Sequence, residues 1–472
     1  MPGTFFGFNT AMRGMQAQQR GIYTTSHNIA NANTDGYTRQ RVVLAPTPAY
    51  PVPGMNHPGG TGWQIGTGVD SQETTRLRDA FLDTQIRRET GSLGQWEQMQ
   101  DVLKQVEVVF NEPSDTGLST LMSQFWASWQ ELSKNAESSP VRTTVVETAN
   151  ALAEALNHSS QQLTTIQGDI DQSVYLKVTD INSIAQQIAD LNGQIKNIIA
   201  AGDQPNDLLD QRDLLVDKLS KIIDCTTTLA SNGTITVTLG GGGNLVAGVD
   251  GTTIHQLQAS GSTVSWVDGT QPNLIISNGE IYGLQTARNK TSAYLTKLDT
   301  LVNELATAVN SKHTSGYDLY GIKGENFFVA NGGGPITAAN IQVNADIKNN
   351  VAKVAAAASS GSIPGDGSNA LAIAQLQQAS ITGLAGTTFD DYYKNLIAEL
   401  GVDAHEATRM TTNQGVLVDQ LTNRKESISG VSLDEEMASM LQYQRAYEAA
   451  ARMITTLDGM LDKIINGMGV AR

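Results

Sequence analysis

Both ends of this chain carry apolar residues at seven-residue spacing, and that repeat limits the fold more than any other feature. Near the N-terminus Phe8, Met15, Ile22 and Ile29 form one row, with Met12, Gln19 and Ser26 in the complementary row. Near the C-terminus Met440, Tyr447, Ile454, Leu461 and Met468 recur likewise, with Met437, Gln444, Ala451, Asp458 and Ile465 between them. Such spacing confines a helix to a narrow coiled-coil seam. Two amphipathic helices ordinarily pack on each other inside a compact monomer. Here they occupy the extreme termini, and Gln19, Ser26, Gln444 and Asp458 make the isolated pair marginal, so a surface completed by neighbouring subunits fits better. The residues expected at that assembly interface are Phe8, Met12, Met15, Ile22, Ile29, Met437, Met440, Tyr447, Ile454, Leu461, Ile465 and Met468.

The C-terminal helix has a marked start. Ser432 is the expected N-cap, Glu435 closes a capping box, and Asp434 and Glu436 complement the positive end of the helix dipole. Residues 433–468 would span about 54 Å at 1.5 Å per residue. The N-terminal helix instead runs into "SHNIANANTDGYTRQ", residues 26–40. Asn31 and Asn33 tolerate left-handed φ, Asp35-Gly36 supplies a tight turn, and Tyr37 can open a strand.

Between the ends the chain reads as nested units. Prolines 46, 48, 51, 53 and 58 make residues 37–75 extended chain and turns. Helices are expected over about 78–110 and 116–135. A rod-like helix follows Pro140 through residue 204, with Val174, Ile181, Ile188 and Ile195 in step and a bend near Gly168. A helix from Pro205 carries Leu208, Leu215, Leu219 and Ile222 on one face. Residues 226–278 then alternate, as in "TITVTL", and are punctuated by Asn232-Gly233, Asp250-Gly251, Asp268-Gly269 and Asn278-Gly279, the pattern of a small, autonomous β insertion. Helices return over about 281–311, 368–381 and 389–427. The fold class expected is mainly α with β insertions: a terminal coiled-coil unit (1–36 plus 431–472), a long helical-bundle middle (37–225 plus 279–430) and the inserted β domain (226–278).

Chemistry is hard to find. A net charge of -16 repels nucleic acid and anionic lipid. Cys225 is the single cysteine, which excludes an intrachain disulfide or multi-cysteine metal site, and no apolar run approaches the ~20 residues of a membrane span. The N-terminus lacks the parts of a cleaved Sec signal. Six histidines are scattered, and His405-Glu406 lacks a second histidine at zinc-helix spacing. "GTGWQIGTG" (60–68) and "GGGG" (240–243) lack the strand, helix start and lysine of a phosphate loop, so both read as turns. Thr388 and Asp391 have capping spacing, which accounts for Asp390-Asp391 better than acid–base work does. The reading is of a non-enzyme with no cofactor and no metal.

The 26–40 stretch, through Asn28, Ala30, Asn31, Asn33, Thr34, Gly36 and Tyr37, resembles the N-terminal signature of the bacterial flagellar axial proteins, the rod, hook and hook-associated proteins. "NDLLDQRDLLVDKLS" (206–220), "GENFFV" (324–329), "GDGSNALAIAQLQ" (365–377) and "GVSLDEEMASMLQYQRAYEAAARMITTLDGMLDKII" (430–465) are similar to the hook-associated members that join hook to filament. The likeness covers both ends and the helical middle; the β insertion matches no motif. It implies a structural flagellar protein, secreted unfolded through the flagellar type III apparatus and assembled as a ring of subunits. The implied partners are other copies, the hook protein, a second junction protein (the third hook-associated protein) and an export chaperone, with no nucleic acid and no membrane insertion. On this resemblance the asparagine-rich break turns the chain out of an inner helical tube. The alternative from a different class is a surface binding module or adhesin that uses the β insertion.

Overall fold

The computed structural model describes residues 5–50, 64–112, 117–247 and 250–467. Met468 and prolines 51, 53 and 58 lie outside the described residues, as do residues 60–63 of the glycine-rich 60–68 stretch. The described chain starts with α1 (Phe5–Ala30), β1 (Gln40–Pro46), β2 (Val69–Arg76), α2 (Ala80–Phe110), α3 (Leu118–Lys134), α4 (Ser139–Ala200) and α5 (Asn206–Ile222). Six strands follow: β3 (Cys225–Leu229), β4 (Ile235–Leu239), β5 (Asn244–Ala247), β6 (Thr253–Ile254), β7 (Leu257–Ser260) and β8 (Thr263–Trp266). The remainder is α6 (Glu280–Ser315), β9 (Phe328–Ala330), β10 (Ile341–Val343), α7 (Ala345–Asn349), α8 (Ser368–Ala374), α9 (Phe389–Ser429) and α10 (Leu433–Gly467). The fold is mainly helical with small antiparallel sheets, as the periodicities require.

Local signals set most boundaries. Asp79 caps α2 by accepting from the backbone N–H groups of Phe81 and Leu82. Thr388 caps α9 by accepting from the Asp391 N–H at 3.1 Å, while its hydroxyl donates to the Asp391 carboxylate at 2.8 Å. The Asp390-Asp391 pair is thus part of a helix start. At α10 the capping box is not closed: Glu435 reaches across to Arg39 at 2.7 Å. The rod α4 runs 62 residues, about 93 Å at 1.5 Å per residue, and is one continuous helix through Gly168. A lone glycine costs about 1 kcal/mol in a helix, too little to break one whose flanking Leu163, Ile166, Ile170 and Val174 are buried.

One continuous core joins α2 through α6, α8 and α9. Its aromatic centre explains "GENFFV": Phe327 and Phe328 sit among Phe125 and Trp129, with Phe125–Phe328 centroids 5.8 Å apart and Trp129–Phe327 centroids 5.3 Å apart. The strands order β3-β4-β5-β6, with β7-β8 as a separate hairpin. Their inward residues Val237, Leu245, Val246, Leu257 and Trp266 belong to the same core. Buried Asn192 on α4 donates to the carbonyls of Ile235 and Gly251, accepts from the Ile235 N–H, and accepts from buried Arg212 of α5. The β insertion is therefore seated on the rod rather than detached from it, because its hairpins are too short to bury a core alone. A second difference lies in residues 40–76, where β1 and β2 pair antiparallel around a bulge between Val43 and Leu44. The prolines between them hide a hairpin that reads as extended chain and turns.

His313, on the last turns of α6, is fully buried. Its Nδ1 lies 2.5 Å from the Glu325 carbonyl, and its Nε2 accepts from the Ala355 N–H at 2.9 Å. These partners suit the neutral ring. Burial pulls its pKa down to about 4, with the Glu325 carbonyl opposing. Between the unfolded value of about 6.5 and 4 the unfolded chain therefore takes up a proton that the folded chain refuses. The stability from this group is complete above pH 6.5 and falls as pH drops through that window, by about 3 kcal/mol. Urea unfolding at pH 7.5 and 4.5 should show a loss of that order in the wild type and a clearly smaller one in His313→Gln.

Candidate assembly interface

α1 and α10 lie antiparallel, and three contacts fix their register. A Cβ added to Gly7 would meet Leu457 at 3.4 Å, one added to Gly21 would meet the Tyr443 ring at 2.9 Å, and Asn28 donates to Glu436 at 3.0 Å. Each step along α1 in this series is matched by an equal step back along α10. The row facing α10 is therefore Gly7, Gly21 and Asn28, with Ala11 and Thr25 buried on the same helix, while a Cβ added to Gly14 would meet nothing within 4 Å. Small residues on α1 receive large ones from α10.

The expected interface residues fall on both sides of this seam. Phe8, Met15, Ile22 and Ile29 follow the glycine row by one position and are half-buried, while Met12 is 40% exposed. On α10, Met440, Tyr447, Ile454 and Leu461 are half-buried beside Tyr443, Ala450 and Leu457, on the side turned to α1. Met437 and Ile465 are 51% and 72% exposed. Met468 lies outside the described residues. Phe5 and Tyr23 on α1, with Leu441, Met453, Met460 and Ile464 on α10, add further exposed apolar surface.

The 26–40 stretch forms a buried polar knot at one end of this pair. Asn28, 1% exposed, donates to the Gln40 carbonyl and to Glu436, and accepts from the Gln40 N–H and the Tyr37 hydroxyl. All its hydrogen-bonding capacity is used. Burial, with Asp207, Asp210 and Glu436 nearby, pushes the Tyr37 hydroxyl well above its ordinary pKa, so it remains a donor. Asn31 donates to the His27 carbonyl, and Thr34 donates to Asn31. Gly36 takes φ +77°, with Leu214 close to where a Cβ would stand. Ala30 and Asn33 flank this turn. Arg39 closes the knot on Glu436 at 2.6 Å.

Beyond the knot lies a ladder of charges. "NDLLDQRDLLVDKLS" places Asp207, Asp210, Asp213 and Asp217 at three- and four-residue steps, on one face of α5. Asp207 accepts from Gln40 and Asp210 from the Thr38 N–H. Arg76 bridges Asp210 and Asp213, each at 2.8 Å; Arg78 bridges Asp213 and Asp83; Arg87 meets Asp217. Lys425 of α9 joins Asp83 at 3.1 Å. Burial alone would raise the Asp83 carboxyl, yet Arg78 and Lys425 hold it below its usual range. The arginines and Lys425 are not apparent from the sequence alone, although the acid spacing on α5 signals that a basic partner row exists. A polar cleft of about 840 Å³ opens here between the 32–39 turn and the α9–α10 elbow. A small apolar cluster in this region joins Leu82, Ile86 and Leu421 with Leu417. Among the described residues no three His, Cys, Asp or Glu side chains gather to hold a metal ion. The arrangement binds helices to one another.

Gly21→Val should force Tyr443 out and uncouple the terminal helices, seen as faster amide exchange over residues 433–467; adding Tyr443→Ala should restore much of the protection. Asn28→Ala leaves the Tyr37 hydroxyl, the Gln40 backbone and Glu436 short of partners. A loss of roughly 3 kcal/mol in local stability is expected, measured by the same exchange.

Three family models match the chain. The model described as the flagellar hook-associated protein FlgK helical domain covers residues 103–328, that of the flagellar basal body rod FlgEFG protein C-terminal covers 426–467, and that of the flagella basal body rod protein covers 8–38. Flagellar hook-associated protein 1 of Bacillus subtilis is 36% identical over 506 residues, covering 100% of this chain and 99% of the relative. The protein of that description from Salmonella typhimurium is 28% identical, covering 97% and 99%. A solved structure of the flagellar hook junction protein FlgK from Burkholderia pseudomallei superposes with a TM-score of 0.63 at 18% identity, over 73% of this chain and 100% of that one, which supports the fold. These relatives are flagellar structural proteins rather than enzymes. With its whole length matched at 36% identity and the rod-protein models falling on the two paired ends, this chain belongs to the flagellar hook-associated protein 1 family and is a structural component of the bacterial flagellum.

Proposed function

We propose that this chain forms the junction between hook and filament, leaves the cell unfolded through the flagellar type III apparatus, and assembles as a ring through its paired terminal helices. The hook protein, the third hook-associated protein and an export chaperone are its proposed partners. Residues 1–36 with 431–472 act as the axial core, 37–225 with 279–430 as the outer helical body, and 226–278 as an insertion on that body. The observation that carries this reading is the apolar surface that the terminal pair leaves uncovered after its own seam is filled. We assign Phe8, Met12, Met15, Ile22, Ile29, Met437 and Ile465 to contacts with neighbours. Met440, Tyr447, Ile454 and Leu461 serve chiefly to hold the pair itself. An adhesin built on the β insertion gains less support, since Val237, Leu245, Val246, Leu257 and Trp266 of its strands lie in the common core and only Leu229 among the strands' large apolar residues is strongly exposed.

The test is complementation of a deletion strain. Met12→Asp and Ile465→Asp alter exposed positions, so the purified monomer should melt within a few degrees of the wild type. In an assembled contact the buried carboxylate costs roughly several kcal/mol, and motility and junctions counted by electron microscopy should be lost. Normal junctions with both variants, or a deletion strain that still joins filament to hook, would refute the reading.

A further inference from the structure

We propose that Asn331 is a self-modifying site: in the folded chain the main-chain nitrogen of Gly332 closes on the Asn331 side-chain amide and converts it to aspartate and isoaspartate. The residue stands in the turn between β9 and β10, in one of five Asn-Gly pairs that begin at positions 192, 232, 278, 331 and 466. Glycine after asparagine leaves no side chain to block the nitrogen's approach. The fold closes four of these pairs to the reaction and leaves one open.

Asn192 and Asn466 lie within α4 and α10, where the helical ladder holds the following N–H. Asn192 is also buried with its amide fully engaged, and Asn466 donates to Asp462 at 2.7 Å. Asn232 accepts from the Thr234 N–H at 3.1 Å and from its hydroxyl at 2.8 Å, while the Gly233 N–H donates to the Ala230 carbonyl at 3.0 Å. Asn278 donates to the Arg88 carbonyl and the Ser92 hydroxyl, each at 3.2 Å, and Gly279 is wedged under Ile222, whose carbonyl would stand 2.7 Å from an added Cβ.

Asn331 differs at every one of these points. It is exposed, and among the described residues its side-chain amide has no partner. The Gly333 N–H donates to the Ala330 carbonyl at 3.2 Å, which places Asn331 and Gly332 at the centre of a turn. The N–H of Gly332 points out of that turn and is accepted by no group among the described residues. Gly332, Gly333 and Gly334 take φ of +83°, +81° and +86°, with nothing within 4 Å of where a Cβ would stand, so the peptide plane between Asn331 and Gly332 can rotate without steric cost. The strands beside the turn are anchored. Asn310 of α6 accepts from the Phe328 N–H and donates to its carbonyl, each at 2.8 Å, and Asn157 of α4 donates to the Ile341 carbonyl at 3.0 Å. The turn therefore opens locally while the core stays closed.

The step needs only water. Hydroxide takes the Gly332 amide proton, the nitrogen attacks Cγ of Asn331, an N–Cγ bond forms, the Cγ–Nδ2 bond breaks, and ammonia leaves with a proton from water that regenerates hydroxide. Water then opens the five-membered imide. Cleavage at Cγ gives aspartate on an unchanged main chain; cleavage at the main-chain carbonyl carbon leaves the chain running through Cβ and Cγ as isoaspartate. No electrons are transferred, and each conversion adds one negative charge to the turn. Because the source of the reaction is the chain itself, the extent of conversion records the time since the chain was made.

The experiment holds the purified full chain in mildly alkaline buffer made with oxygen-18 water, digests it in acid, and follows the five Asn-Gly peptides by mass spectrometry. Asn331 should convert ~tenfold or more faster than the other four, because their conversion waits on larger openings of the fold. Its rate should be first order in hydroxide, and the product should be two isomers, one of them isoaspartate, each carrying one solvent oxygen. In guanidinium the other four should rise to match it, and Asn331→Gln should silence the position. Thermal melts of the chain before and after conversion should agree within a few degrees. A folded chain that converts Asn331 no faster than the other four, aspartate as the lone product, or an unchanged ranking in guanidinium overturns the proposal. An early melt of the converted chain overturns it too, since the turn would then be part of what holds the core.

Discussion

Asn28 is the point on which the arrangement of the chain depends. It stands on α1 where that helix ends, and its amide bonds to the start of β1 and to the first turn of α10. A buried amide satisfied by partners from distant segments is expensive to misplace, because each lost partner leaves an unpaired polar group out of water. A one-residue slip of α10 would strand Asn28, Glu436 and Arg39 together. The knot thus converts a glycine-rich seam with weak register preference into a single register, a use of buried polar groups familiar from coiled coils. Everything nested between the two ends inherits its position from that choice.

The two halves of the molecule are held by different physics. The helical body has one large apolar core, which stabilises without direction and resists salt. The joint from the body to the terminal pair is largely ionic and hydrogen-bonded, with α5 presenting carboxylates to arginines of β2, α2 and the loop between them. Arg76 and Arg78 each bridge two carboxylates on neighbouring turns or helices, so the joint is directional where the body's core is not.

The fold was legible where burial follows period. The helix spans, the β insertion and the Thr388 cap all appear in the sequence because apolar spacing and capping chemistry report them directly. The glycine side of the intrachain contact was not legible, and the reason is physical. A seam in which one helix contributes glycine has no apolar signature on that side, so Phe8, Met15 and Ile22 stand out in the sequence while Gly7 and Gly21 face α10. The charge ladder was half legible: the acids of α5 are regular, but Arg76, Arg78 and Arg87 are spread over a strand end, a loop and a helix, and only the fold aligns them.

That glycine seam bears on function. A seam of glycine against large side chains buries less apolar area than a leucine seam, and short or polar helix pairs are marginal in water. The strongly apolar row has been kept off the intrachain contact and left half open. On the proposed assembly, neighbours that cover that row would stabilise the ends and so couple their folding to assembly. Were the two rows exchanged, with Phe8, Met15 and Ile22 turned to α10, the monomer would be firmer and its outer surface would be glycine. Such a chain would fold well alone and would have little apolar surface with which to hold the next copy.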